Sequence, residues 1–346
     1  MRRIRTCISI TVALLAASQP TSAQGTPPAP AIAQPELVAR LGALLDSLTQ
    51  AGQFSGVVSL SLRGAPVFER GYGEADRARH IANDTATAFN IGSINKIFTS
   101  IAIRQLALDG RLALDSTLAR AWPDYPNADV AKRITIRQLL QHTSGVTGDI
   151  FAVRGPGGRG DVRHNRDLFA GVVNNPLAFE PGSRNQYSNA GFVVLGALIE
   201  HLSGDDYYAY IQRHILAPAG MTRTGHFAKD SLPPHTALGY TRGDENAPPT
   251  APLRSNIDLL PGRGSAAGGG YSTVGDMKRF LAALRARRIF AGPPAGLGIA
   301  GGAPGLNAVV EGALPGGYDL VVMANLDPPA AERIARRVRE WMGTRD

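Results

Sequence analysis

Ser93 and Lys96 stand three positions apart at the start of an apolar, helix-like run, Ser93-Ile94-Asn95-Lys96. One helical turn separates them, so a hydroxyl and an amine share a face and come within reach of each other. The amine is a rare choice in this chain. Of 36 basic residues only Lys96, Lys132, Lys229 and Lys278 are lysines, leaving 36 − 4 = 32 arginines. Arginine keeps its proton at any working pH, whereas a buried lysine sheds it readily and serves as a base. A serine beside such an amine is a candidate nucleophile. The same spacing also suits a helix-capping serine and a solvated lysine, so the pair alone does not establish catalysis.

Two further blocks carry chemistry. Phe179-Glu180-Pro181-Gly182-Ser183-Arg184 leads into Gln186-Tyr187-Ser188-Asn189, just ahead of an apolar helical run. A tyrosine there can point its hydroxyl into a cleft with the Asn189 amide on the same side; the plain alternatives are a core tyrosine and a helix-capping asparagine. The third block is Ala300-Gly301-Gly302-Ala303-Pro304-Gly305, on an expected strand, where glycines let backbone N–H groups approach a substrate. His142, at a helix end before Thr143-Ser144-Gly145, is given a structural role. The other histidines show no metal-ligand spacing, so no metal is expected. Gly296-x-Gly298-x-x-Gly301 mimics a dinucleotide fingerprint but lacks the strand before it and the helix after it, and no cofactor is expected. No G-x-S-x-G elbow occurs, which argues against an α/β-hydrolase.

The elements that must position these blocks follow from periodicity and turn signals. Glu36 to Ala51 has helical apolar spacing, and Val57–Leu62 with Pro66–Gly71 reads as a hairpin across Arg63-Gly64-Ala65. Helices are expected from Ser93 to about Gly110, over Ile136–Gln141, Ala190–Leu202, Asp205–Leu216 and Thr273–Leu284. Strands are expected at Ala308–Glu311 and Tyr318–Asn325, and a closing helix at Pro329–Met342. Residues 147–185 and 228–262 read as loops, with Arg154–Gly160 the most flexible-looking stretch. Strands and a helix at each terminus bracket a mainly helical middle, so the two ends should build one sheet. The expected fold class is α+β, an antiparallel sheet flanked by N- and C-terminal helices with an inserted mainly helical lobe. On this reading the α/β lobe comprises 36–90 and 263–346, and the helical lobe 91–262.

The first residues read differently. Arg2, Arg3 and Arg5 precede an apolar stretch, Ile8 to Ala17, and the small-residue segment Thr21-Ser22-Ala23. That pattern is a secretory signal over 1–23, followed by a Pro/Ala-rich tether over 24–35. Its apolar stretch is too short to span a bilayer, so the expectation is a secreted or periplasmic protein without stable membrane insertion. Cys7, the single cysteine, lies in that segment, which leaves the mature chain no disulfide and no thiol nucleophile. Removing the three arginines takes the net charge from +8 to 8 − 3 = +5, dispersed along the chain. A nucleic-acid surface needs a clustered basic face with aromatic platforms, and none is evident.

Together the three blocks resemble the serine β-lactamase and penicillin-recognising family, particularly class C enzymes, D-alanyl-D-alanine peptidases and related esterases. The family pattern is S-x-x-K, then Y-x-N, then a strand bearing K/H-x-G. Ser93/Lys96 and Tyr187/Asn189 match the first two in order and spacing. Thr135-Ile136-Arg137-Gln138-Leu139-Leu140-Gln141-His142-Thr143-Ser144-Gly145 and Gly268-Gly269-Gly270-Tyr271-Ser272-Thr273 look like the family as well, and the resemblance runs from about residue 37 to the C-terminus. Two departures stand out. Ile299 occupies the position of the third-strand cation, and the segment between the helix ending near Arg287 and that strand is about a dozen residues long, shorter than in relatives.

The resemblance implies acyl transfer through a Ser93 ester, with Lys96 or Tyr187 taking the hydroxyl proton. It also implies an oxyanion hole from the N–H groups of Ser93 and Gly302, and substrate contacts from Asn189, Gly301 and Ile299. A third-strand cation would pair with a substrate carboxylate, whereas isoleucine offers apolar contact, so uncharged esters are favoured over β-lactams. A D-alanyl-D-alanine carboxypeptidase or β-lactamase is the alternative within this chemistry. A catalytically silent binding protein that keeps the fold is the alternative outside it.

Overall fold

The computed structural model describes residues 32–243, 247–248, 250–291 and 297–344. The expected leader and most of the tether lie outside the described residues, as does Gly296 of the glycine pattern. The first helix, α1 (Gln34–Gln50), starts two residues earlier than its periodicity predicts, because Pro35 fits a first helical turn where its missing N–H costs nothing. Gln34 and Pro35 therefore belong to the helix and not to the tether.

A five-stranded antiparallel sheet joins the two ends of the chain. Its strands are β1 (Gly56–Leu62), β2 (Ala65–Tyr72), β3 (Leu297–Ala303), β4 (Leu306–Leu314) and β5 (Tyr318–Ala324), in the spatial order β2-β1-β5-β4-β3. Val58 of β1 faces Val322 of β5 across a gap of 264 residues in sequence (322 − 58), so the sheet is closed by non-local pairing. The sheet has two apolar faces, which accounts for its nearly continuous Val/Leu/Ala strands. Val58, Leu60, Val309, Leu320 and Val322 pack under α1 and the C-terminal helix α5 (Ala330–Trp341). Val57, Ala308, Val310, Val321 and Met323 pack on the opposite side, in a core shared with the helical middle. Each fully buried side chain of this size contributes roughly 1.5–3 kcal/mol through removal from water.

The helical layer on that opposite side includes α2 (Lys96–Leu108), α3 (Asn189–Ser203) and α4 (Val274–Arg285). α3 carries an apolar run from Phe192 to Ile199 and is buried on nearly every side, as a helix at the centre of the inserted layer must be. The helix expected over Asp205–Leu216 is an α-helix only from Tyr207 to Ile211 and continues as a π-helical turn to Leu216. Among the described residues no helix is long and apolar enough to cross a membrane. β3 is an edge strand of the sheet.

Candidate functional site

Ser93 does not open α2 directly. It sits in a 3-10 turn, Gly92–Asn95, from which α2 continues at Lys96. The turn is set up by Asn90, whose Oδ1 accepts the Gly92 N–H at 3.0 Å, and by Gly92 itself at φ +50°. A side chain at Gly92 would meet the backbone nitrogen of Gly302 at 3.1 Å, and one at Gly301 would lie 2.2 Å from the Ile91 carbonyl oxygen and 2.8 Å from the Ser93 nitrogen. These two glycines let the Ser93 turn and β3 meet backbone to backbone. Gly301 and Gly302 pair in register with Ala308 and Asn307 of β4. Asn307 is fully buried; its Nδ2 donates to the Gly301 carbonyl at 3.0 Å, and its Oδ1 accepts the Ala331 N–H at the start of α5.

Tyr187 and Asn189 arrive from the other side. Ser188 caps α3, its Oγ accepting the Gly191 N–H at 2.9 Å and donating to the Val146 carbonyl at 2.6 Å. That cap fixes its two neighbours in the chain. The Tyr187 hydroxyl donates to Ser93 Oγ at 2.7 Å, and Asn189, the first residue of α3, accepts a bond from Lys96 Nζ at 2.8 Å through Oδ1. The asparagine is therefore a partner of the lysine, and the capping function belongs to Ser188.

Lys96 is 3% exposed. Its Nζ lies 3.3 Å from Ser93 Oγ and also donates to the Ala267 carbonyl. Burial pulls its ammonium well below the usual lysine range. The Tyr187 ring, 4.8 Å from Nζ, and the Phe192 ring, 5.5 Å away, oppose that shift by attracting the cation. Burial pushes the Tyr187 phenol up to about 12, against a smaller opposing effect of its bond to Ser93.

The His142 ring packs at a tilt of 33° against Tyr187 with ring centroids 4.6 Å apart, and its Nδ1 accepts the Ser188 N–H at 3.1 Å. Burial, then the nearby Lys96 charge, lowers its pKa to about 4. Its neutral ring is a support for the Tyr187–Asn189 segment. Beside that segment lies a cavity of about 120 Å³ walled by Gly145–Phe151, Ala178, Phe179 and Gln186–Asn189.

The expected site residues thus fall into three groups. Ser93, Lys96, Tyr187 and Asn189 form one hydrogen-bonded cluster. Gly301 and Gly302 lie against the Ser93 turn. Ile299 is half-buried, pairs with Val310 and packs on the core shared with the helical middle, with no cation at that register. The Ala267 carbonyl is a member of the cluster that sequence reading missed. A backbone oxygen has no residue signature, and only the small-residue run Ala266–Gly270 hints at a close backbone approach.

Comparison with known proteins agrees with this geometry. A family model described as Beta-lactamase matches residues 41–338. PbpX of Bacillus subtilis (strain 168), provisionally named a penicillin-binding protein, is 32% identical over 231 residues, covering 67% of this chain and 55% of PbpX. The protein flp of Staphylococcus aureus (strain MRSA252) is 29% identical, covering 58% of this chain and 40% of flp. The chain thus spans about half the length of these curated relatives. Among solved structures, a penicillin binding protein from Bacillus halodurans superposes with a TM-score of 0.75 at 28% identity, covering 86% of this chain and 98% of that one. A D-amino acid amidase from Ochrobactrum anthropi SV3 shares the fold, with a TM-score of 0.73 at 23% identity and coverage of 88% and 98%. With its sheet closed by both chain ends and its serine and lysine one turn apart beneath a tyrosine, the chain belongs to the Beta-lactamase family.

Proposed function

We propose that this protein is a serine hydrolase that cleaves a small uncharged ester or amide through an acyl-enzyme on Ser93. One observation carries the reading: Ser93 Oγ lies between the Tyr187 hydroxyl at 2.7 Å and Lys96 Nζ at 3.3 Å, and the other two partners of Lys96 are obligate acceptors. A neutral amine has two N–H groups and one lone pair. The Asn189 amide oxygen and the Ala267 carbonyl take the two N–H groups, which leaves the lone pair for the Ser93 proton. The Tyr187 hydroxyl donates to Ser93 Oγ and so approaches the lone pairs of the oxygen and not its proton. Since burial lowers Lys96 and raises Tyr187, this polarity favours Lys96 as the base.

In the proposed step Ser93 Oγ bonds to the substrate carbonyl carbon as its proton passes to Lys96. The oxyanion takes the N–H groups of Ser93 and Gly302, donors worth roughly 3 kcal/mol each in comparable sites. The proton returns through Tyr187 to the departing alcohol or amine. Water then attacks the ester, its hydroxyl going to the acyl carbon and its proton back to Ser93. Asn189 holds Lys96, and Gly301 admits the close backbone approach. Ile299 presents no charge to a substrate carboxylate, which supports neutral substrates over β-lactams and D-alanyl-D-alanine ends. The arginine-led, apolar N-terminal segment supports action outside the cytoplasm.

Turnover of a short-chain nitrophenyl ester beside a chromogenic cephalosporin, with intact-mass detection of the adduct on Ser93, tests this. The ester should turn over faster. Faster cephalosporin turnover overturns the substrate preference. A fluorophosphonate that leaves Ser93 of the folded protein unlabelled overturns catalysis in favour of a silent binding protein, the reading that Ile299 and the short lead into β3 favour.

A further inference from the structure

We infer that Asn95, Thr99 and Tyr207 form a buried clamp that positions Lys96 by holding the Ser265 and Ala266 carbonyls, and with them the adjoining Ala267 carbonyl that Lys96 itself binds; this rests on the Ser93–Lys96 reading above. The three carbonyls each receive a donor from the Ser93 turn or α2. Asn95 Nδ2 donates to the Ser265 carbonyl at 2.8 Å, Thr99 Oγ1 donates to the Ala266 carbonyl at 2.8 Å, and Lys96 Nζ donates to the Ala267 carbonyl. Lys96 and Thr99 are one turn apart on α2, so they address neighbouring peptide groups of one tight turn, which the Ser265 and Gly268 backbones close by exchanging hydrogen bonds of 2.7 Å and 3.1 Å.

Tyr207 ties the other two together. Its hydroxyl lies 2.8 Å from Thr99 Oγ1 and receives the second Asn95 N–H at 3.3 Å. Because the Thr99 proton goes to the Ala266 carbonyl, Tyr207 is the donor to Thr99 and the acceptor from Asn95. Tyr207, Asn95 and Thr99 are all fully buried, so no solvent competes for these bonds. The clamped segment then runs straight into the glycines against the nucleophile: Gly269 N–H donates to the Gly92 carbonyl at 3.3 Å, and Ile91 N–H donates to the Gly270 carbonyl at 2.8 Å.

The consequence is directional. Without a fixed Ala267 carbonyl, a neutral Lys96 has one obligate acceptor, Asn189, and its lone pair is free to turn from Ser93. None of the three clamp side chains bonds to Ser93 Oγ or to Lys96 Nζ, so all three are positioning residues. Tyr187 and His142 are the titratable groups on the cleft side of Lys96. Behind the clamp lie Glu200, which accepts the Tyr207 N–H, and His226, 5.5 Å from the Tyr207 ring, with Arg263 against Tyr208. The substitutions that test the clamp alter none of these.

The experiment measures the pH profile of acylation by a nitrophenyl ester for Thr99→Val, Tyr207→Phe, Thr99→Ser and, as a control one turn along the same helix as Tyr207, Tyr210→Phe. Rates are normalised to folded protein by near-UV circular dichroism. Thr99→Val and Tyr207→Phe should each slow acylation about tenfold, the cost of a small misplacement near the reacting atoms. Their acid limbs should also move about half a pH unit lower or more, because the Lys96 ammonium loses a charge-assisted acceptor. Thr99→Ser, which returns the hydroxyl, should recover most of the rate and the limb. Full rates with unmoved limbs in folded Thr99→Val and Tyr207→Phe overturn the clamp, as does a Thr99→Ser variant as slow as Thr99→Val. Retention of acylation by Ser93→Ala or Lys96→Ala overturns the underlying assignment of the site instead.

Discussion

The Tyr187 hydroxyl and Lys96 Nζ both reach one oxygen, Ser93 Oγ, at 2.7 Å and 3.3 Å, the phenol as a donor to it. The two side chains therefore have separable tasks. Lys96→Met should lower the acylation rate by at least about a thousandfold, the scale of a lost general base. Tyr187→Phe keeps the ring that faces Lys96 and removes only the proton donor. Its loss should be smaller for nitrophenyl esters, whose leaving group needs no proton, than for alkyl esters or amides. Single-turnover kinetics with both leaving groups checks this; equal losses would remove Tyr187 from the proton path.

The pH dependence of the same rates follows from the state of the base. Lys96 must be neutral to accept the Ser93 proton, so kcat/KM should fall as pH drops through the Lys96 pKa. Burial sets that pKa well below the ordinary lysine range. The Tyr187 phenol, pushed up to about 12, stays protonated throughout the working range and contributes no alkaline limb near neutrality. A profile flat down to the acid-unfolding point in wild type, with a limb in neither direction, contradicts this assignment.

Stability should also depend on pH, through two buried histidines. His142 and His226 are lowered to about 4 and about 3, in both cases first by burial, then by the nearby charge of Lys96 and Arg263 respectively. A depressed folded pKa means that the unfolded chain takes protons first. Full stability is therefore present above the unfolded value of about 6.5 and is lost as pH falls towards 4, by up to roughly 2–3 kcal/mol per histidine. Urea midpoints between pH 7 and pH 4.5 measure this. His226→Gln should flatten the curve, and an unchanged slope would exclude His226 as a source.

Charge selectivity can be rebuilt at one residue. Ile299→Lys restores a cation at the strand position facing Val310. It should lower KM for carboxylate-bearing lactams about fivefold, a partly exposed ion pair being worth about 1 kcal/mol, while leaving neutral esters nearly unchanged. Parallel KM measurements on the two substrate types distinguish this from a general gain or loss.

Gly301 tests the approach of β3 to the Ser93 turn. A methyl there meets the Ile91 carbonyl at 2.2 Å and the Ser93 nitrogen at 2.8 Å, both backbone atoms that cannot step aside. Gly301→Ala should lower stability by about 1–3 kcal/mol, the cost of overpacking, and reduce turnover well beyond what the loss of folded protein explains. Thermal melts beside active-site titration separate the two effects.

Much of this architecture was legible in residue patterns, for identifiable reasons. Strands such as Gly56–Leu62 and Tyr318–Ala324 are buried on both faces, so their apolar content reports the sheet directly. Ser93, Lys96, Tyr187 and Asn189 were legible because their side-chain chemistry is distinctive and their spacing along each helix or cap is short. The 3-10 turn at Gly92–Asn95 was not, since it arises from the Asn90 side chain and from the close approach of Gly301, a partner more than 200 residues away. The Ala267 carbonyl and the Tyr207 hydroxyl were equally hidden. Each reaches Lys96 or its neighbours across 100 residues or more, and nothing local in Tyr207-Tyr208 distinguishes the tyrosine that touches Thr99.

Because Val58 cannot meet Val322 until most of the polypeptide exists, the central layer must form late in synthesis. Until then the apolar strand β1 is paired with β2 alone and its other edge is open to wrong partners. A chain shortened before Tyr318 would lack the strand between β1 and β4, leaving two fragments of one layer with nothing to join them. Such a product should be degraded or aggregate, not persist as a weakened form of the protein.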